Sequence, residues 1–124
     1  MKVSFDNEKS IYIQIAEAIK DDILKDIFEE ETQIPSTTQM SVSYRINPAT
    51  AAKGVNMLVD EGIIYKKRGI GMFVASGAKE DIRNSRKNEF FDKYIAAMIE
   101  EAQKLGISRE DIIDMIKGGE KKHG

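Results

Sequence analysis

The chain has 124 residues, a formal net charge of −2, 41% hydrophobic residues and no cysteine. That length supports one compact domain with a small appendage. The lack of cysteine excludes disulfides and thiolate metal sites and fits a reducing cytosol; no run of ~18 apolar residues exists to span a membrane, and MKVSFDNEKS has no apolar signal core.

The first predicted element is a helix from about Ser10 to Phe28. Ile11, Ile15, Ile19, Ile23 and Ile27 recur at four-residue steps, and Ala16 and Leu24 broaden the stripe, which reads as a core-facing amphipathic helix. Glu29-Glu30-Glu31 is expected to be a solvated turn. Ser36 after Pro35, with Gln39 three residues on, is a capping box. It predicts a short helix to about Tyr44, with Met40, Val42 and Tyr44 available for its buried side. Asn47-Pro48 starts a third helix, since Asn caps well and Pro suits the first turn. Ala51, Val55, Leu58 and Val59 fall on one side of it, and Thr50, Lys53 and Asn56 on the other. Gly62 ends it. Ile63-Ile64-Tyr65 and Met72-Phe73-Val74 then flank Lys66-Lys67-Arg68-Gly69-Ile70-Gly71, a hairpin with Lys66, Lys67 and Arg68 at its tip. Three basic side chains there suit a phosphate backbone or minor groove. Two capped helices followed by a basic, glycine-tipped ribbon make a winged helix-turn-helix, whose second helix is shaped for the major groove.

Ser76-Gly77-Ala78 reads as a hinge. A long helix is expected from about Lys79 to Leu105, polar in its first half. Phe90, Phe91, Tyr94, Ile95, Met98, Ile99 and Ala102 form an apolar stripe along its second half, and Gly106 stops it. Ser108 caps a last helix with Asp111 at the capping-box position, Ile112, Ile113, Met115 and Ile116 form its apolar side, and Gly118-Gly119 ends it. Two helices cannot bury that surface alone. A symmetric homodimer through this stripe is favoured over packing onto the first helix. The 45 or so residues after the hinge are too few to enclose a usual ligand pocket of ~300 Å³ or more. Room for a small-molecule effector exists at a dimer interface near Met98, although such stripes are more often interface core.

Charge is distributed unevenly. Between Asp6 and Glu31 nine acids face three lysines, a balance of −6, whereas between Arg45 and Val74 five bases face two acids, a balance of +3. The basic residues therefore gather on the proposed reading elements, and the acidic helix belongs away from phosphate. Catalysis has little support. The lone histidine, His123, lies in a frayed tail, Asp21-Asp22 is read as an exposed pair, and RGIGMF leads into a strand where a phosphate loop leads into a helix. No cofactor is implied.

IYIQIAEAIKDDI, IPS, INPATAAKGVNMLVDEG and RGIGMFV stand in the order and spacing of the DNA-binding domain of the GntR family of bacterial transcription regulators, which residues 11–75 resemble. The short remainder most resembles the YtrA-type subgroup. The resemblance implies cytoplasmic homodimers that bind palindromic double-stranded DNA operators, most often as repressors. It divides the chain into a winged domain over 1–75, a hinge over 76–78 and a helical dimerisation region over 79–124. It also implies DNA contacts at Ser36 and Thr38, at Asn47, Ala49, Thr50 and Lys53, and at Lys67, Arg68, Gly69 and Gly71. Two departures bear on base preference. Thr38 stands where the family commonly has arginine, and Ala51 or Ala52 where it commonly has a polar or basic residue. Threonine lacks the fork for a bidentate contact to guanine. Alternative readings are a winged-helix protein–protein module and an architectural DNA protein without sequence preference.

Overall fold

The computed structural model describes residues 10–118. The N-terminal segment before Ser10, Gly119 and the tail with His123 lie outside the described residues. The elements are α1 (Ile11–Leu24), β1 (Gln33–Ile34), α2 (Thr37–Tyr44), α3 (Pro48–Asp60), β2 (Ile64–Lys67), β3 (Gly71–Val74), α4 (Ala78–Phe90), a π-helical turn (Phe91–Ile95), α5 (Ala96–Leu105) and α6 (Arg109–Gly118). They form two compact units, one ending at Asn84 and the other starting at Ser85.

In the first unit α1 and α3 pack closely, and α2 completes the helical layer. The core takes Ile15, Ile19 and Ile23 from α1, Met40 from α2, Val55 and Leu58 from α3, and Ile64 and Val74 from the sheet. The α1 stripe is shorter than its isoleucine spacing predicts. The helix ends at Leu24, because Asp26 takes a left-handed φ of 62° and the Asp22 carbonyl accepts the N–H groups of both Ile27 and Phe28. Ile27 is consequently exposed, and Ile11, the first residue of the helix, is exposed as well. Val42 also points outward, leaving Met40 as the principal core residue of α2.

The sheet has one more strand than the predicted hairpin. β1 pairs antiparallel with β3, Gln33 opposite Phe73 and Ile34 opposite Met72, giving the order β1-β3-β2. A two-residue strand is too short to show period-2 alternation, so nothing local announces it. α3 ends in a Schellman arrangement. The Ile63 N–H reaches the Leu58 carbonyl at 2.9 Å and the Gly62 N–H reaches Val59 at 3.0 Å, with Gly62 at φ 76°.

Two acidic positions differ from their sequence reading. Glu30 is more than a solvated residue: its carboxylate accepts the Gly77 and Lys79 backbone N–H groups at 2.9 and 3.0 Å. It thereby satisfies donors at the start of α4, and those two bonds hold its pKa below the ordinary value. Lys79 Nζ also reaches the Asp26 carboxylate at 2.8 Å. Asp21 and Asp22 are not an exposed pair. Asp21 is exposed, but Asp22 lies seven residues after Ile15 and three after Ile19, on the same helical stripe, and is 5% exposed. Its Oδ2 has no hydrogen-bond partner among the described residues.

Burial raises the Asp22 pKa from 3.8, and Asp21 adds to the rise while Lys25 opposes it. Its charge in turn adds to the burial that pushes the half-buried Tyr44 hydroxyl up to about 12. A carboxyl whose pKa is raised by folding stabilises the fold below its unfolded pKa, and that contribution is lost as pH rises through the folded value. Asp22→Asn is therefore expected to stabilise the protein at neutral pH, because it removes a buried charge. The gain shrinks as pH falls toward the ordinary carboxylate range. Thermal denaturation of both chains at neutral and mildly acidic pH checks this, and equal stability at neutral pH contradicts it.

In the second unit the helix closes one widened turn, in which the Ala96 N–H reaches the Phe91 carbonyl, the i→i+5 bond of a π turn. Spacing alone predicted an uninterrupted α-helix there. Gly106, left-handed at φ 71°, ends α5. The α6 cap is reciprocal, with the Asp111 N–H on Ser108 Oγ and the Ser108 N–H on Asp111 Oδ2, both at 3.1 Å. Ala102 and Ile112 are buried, and beside them Met98, Leu105, Ile107 and Met115 line a groove of about 360 Å³. Phe90, Phe91, Tyr94 and Met98 are exposed, and Ile95 and Ile99 half-buried. Among the described residues no helix is long and apolar enough to cross a membrane.

Candidate nucleic-acid interface

Local chemistry builds the helix-turn-helix. Gln39 N–H donates to Ser36 Oγ at 3.1 Å, and Ser36 N–H donates to Gln39 Oε1 at 2.7 Å, so the first turn of α2 is closed from both sides. Arg45 ends α2 in the left-handed region at φ 56°, which turns the chain toward α3. Asn47 Oδ1 then accepts the Ala49 N–H at 2.7 Å, and Pro48 fills the first helical position. Asn47, Ala49 and Lys53 are exposed and Thr50 is half-buried. Ala51 is fully buried in the core. The departure at Ala51 therefore bears on packing, while Ala52 is half-buried.

The three basic residues of the wing are not equivalent, because alternate strand positions face opposite sides of the sheet. Lys66 turns toward α3 and donates to Asn56 Oδ1 at 2.9 Å. Lys67 lies on the outer face, its ammonium 4.5 Å from the Phe73 ring centre and 5.9 Å from that of Tyr65. Those rings stack at 5.7 Å, and the Tyr65 hydroxyl donates to Glu31 at 2.9 Å. Arg68 and Gly69 are exposed at the tip, with Gly69 at φ 77°.

Ser36 and Thr38 line one groove with Lys66, Lys67, Arg68, Gly69 and Gly71, a cleft of about 520 Å³ between the first turn of α2 and the wing. The structure thus brings the α2 and wing positions together. Asn47, Ala49, Thr50 and Lys53 do not line that cleft and lie along the start of α3. Lys53 does not extend freely: its ammonium sits 4.1 Å over the ring of Tyr12 in α1. Sequence reasoning missed Tyr12, because a contact between α1 and α3 leaves no mark on the spacing within either helix. It also passed over Gly54. A Cβ there would lie 2.7 Å from the Tyr12 carbonyl oxygen and 3.1 Å from Ile15 Cβ, so only glycine allows the two helices this approach.

A capped helix pair, a short three-stranded sheet and a basic ribbon tip beside the second helix define a winged helix-turn-helix protein. Residues 11–74 match the bacterial regulatory proteins of the gntR family, and the chain belongs to that family. The HTH-type transcriptional repressor YtrA of Bacillus subtilis is 30% identical over 107 residues, covering 86% of this chain and 82% of YtrA. A crystal structure of a GntR-family transcriptional regulator from Bacteroides thetaiotaomicron is similar at TM-score 0.72 and 38% identity, covering 92% of this chain and 99% of that one. The DNA-binding domain of AraR, solved in complex with an operator, is similar at TM-score 0.54 and 26% identity, covering 60% of this chain and 96% of that one. The family and these relatives are regulators of transcription rather than enzymes.

Proposed function

We propose that this protein is a sequence-specific transcriptional repressor of the cytoplasm that binds an inverted-repeat operator as a homodimer. The observation that carries the reading is the shared basic cleft between the first turn of α2 and the wing, together with the exposed start of α3. The repressor YtrA and the operator complex of AraR support it by likeness. In this reading Asn47, Ala49, Thr50 and Lys53 enter the major groove. Ser36 and Thr38 open α2 against the backbone, and Lys67, Arg68, Gly69 and Gly71 form the wing contact. Residues 1–75 read DNA, residues 76–78 connect, and residues 79–124 pair two copies through Phe90, Phe91, Tyr94, Ile95, Met98, Ile99 and Ala102. Pairing sets two recognition helices about one DNA turn apart, roughly 34 Å.

Magnitudes favour release of Lys53 from Tyr12 on binding. An exposed cation–π contact is worth about 0.5–1 kcal/mol, whereas a good base contact is worth ~1–3 kcal/mol. Fluorescence anisotropy of the protein on DNA from upstream of its own coding sequence, and on a scrambled duplex, tests the function. A clear preference for the upstream duplex is expected, and equal salt-sensitive affinities point to architectural binding instead. In the same assay Lys53→Ala is expected to cost ~1–3 kcal/mol on the preferred duplex and little on the scrambled one. Equal losses on both duplexes reduce Lys53 to a phosphate contact.

A further inference from the structure

Gln33 lies just upstream of α2, yet its side chain reaches the wing. Its Nε2 donates to the Ile70 carbonyl at 3.1 Å, across 37 residues of sequence. Ile70 closes the wing turn through its own N–H on the Lys67 carbonyl at 3.0 Å. The next residue, Gly71, has φ 149°, and a Cβ there would collide with the Gln33 amide. Glycine at 71 therefore leaves the space that the amide occupies. β1 supplies backbone pairing at the base of β3, but its two residues stop short of the turn. The Gln33 amide extends that attachment to the tip.

We infer that Gln33 is a positioning residue for DNA binding: by holding the Ile70 carbonyl it presets the wing tip against the first turn of α2, so that Arg68 and the α2 N-terminus meet the duplex as one rigid surface. The inference rests on the DNA-binding reading above. Its physical basis is preorganisation. A wing fixed before binding loses less conformational freedom when its tip contacts phosphate, and a two-strand ribbon without further support is only marginally ordered. The Gln33 side chain also lines the shared cleft beside Ser36 and Gly71.

Gln33→Met keeps the length of the side chain and removes the donor. In the DNA-free protein, nitrogen-15 relaxation of the Gly69, Ile70 and Gly71 amides is expected to show lower order parameters in the variant, with an unchanged melting temperature. On upstream DNA the variant is expected to bind roughly tenfold more weakly, with a salt slope smaller by about one. In an Arg68→Ala background the Gln33→Met loss is expected to vanish, because the contact it prepares is gone. Wild-type order parameters in the wing overturn the clamp, and so does an undiminished loss in the Arg68→Ala background. If the wild-type protein binds neither duplex, the DNA reading fails, while the relaxation data still decide whether Gln33 orders the wing.

Discussion

Gly54→Val is expected to lower the thermal midpoint by on the order of 15 °C, corresponding to about 3 kcal/mol of overpacking. The reason is the closeness of α1 and α3 at this point. The added Cβ alone would lie 2.7 Å from a backbone oxygen of α1, that of Tyr12, and 3.1 Å from Cβ and Cγ2 of the fully buried Ile15. A helical carbonyl cannot swing aside as a flexible side chain can, so the helices themselves have to part. Valine adds two methyl groups to that conflict and is stiff at χ1. Alanine is the informative control. It recovers about 1 kcal/mol of helix propensity over glycine, yet it carries the same Cβ and is expected to be net destabilising. Tyr12 links this packing to function, because its carbonyl meets Gly54 and its ring carries the Lys53 ammonium. Parting the helices removes the platform of Lys53 as well. Denaturation by heat and urea measures the effect. A Gly54→Val chain as stable as the wild type would falsify the close approach.

The second large effect is expected from ending the chain after Asn84. The 124-residue chain is expected to sediment as a dimer and the shortened chain as a monomer. On a duplex bearing both half-sites, affinity is expected to fall by ~10²–10⁴, the gain that linked half-site binding supplies. On a single half-site the two proteins should differ little. The position of the cut matters. Ala78 and Ile82 are buried in the core of the first unit, at 0% and 2% exposure. A cut before residue 79 strips Ile82 from that core, a loss comparable to a large-to-small substitution of ~2–5 kcal/mol, and confuses unfolding with loss of pairing. A monomeric chain ending at Asn84 that binds the full duplex as tightly as the 124-residue chain contradicts the pairing proposed through Phe90, Phe91, Tyr94, Ile95, Met98, Ile99 and Ala102.

Much of the fold was legible because its signals are local. The Ser36–Gln39 and Ser108–Asp111 boxes close within three residues, and Asn47 caps Ala49 within two. Helical geometry fixes which side chains meet at such spacings wherever the helix lies, so residue types alone announce the starts of α2, α3 and α6. The basic ribbon tip follows from the glycines and lysines around the turn for the same reason. Asp22 was legible in principle: its place seven residues after Ile15 assigns it to the buried stripe, but the polar pair Asp21-Asp22 invites an exposed reading. The π turn at Phe91–Ile95 was not, since its residues continue the helical spacing on both sides.

Amino-acid order alone thus determined the helix caps, the inward stripes, the wing turn and the sequence of elements that marks the family. Docking of distant segments decided the rest: β1 against β3, Glu30 on the start of α4, Gln33 on the wing, Lys53 over Tyr12 and the opposite allegiances of Lys66 and Lys67. The physical division is one of range. A cap is set by the φ/ψ angles of three or four successive residues, whereas a hydrogen bond across 37 or 47 residues exists only after the core has brought its two ends together.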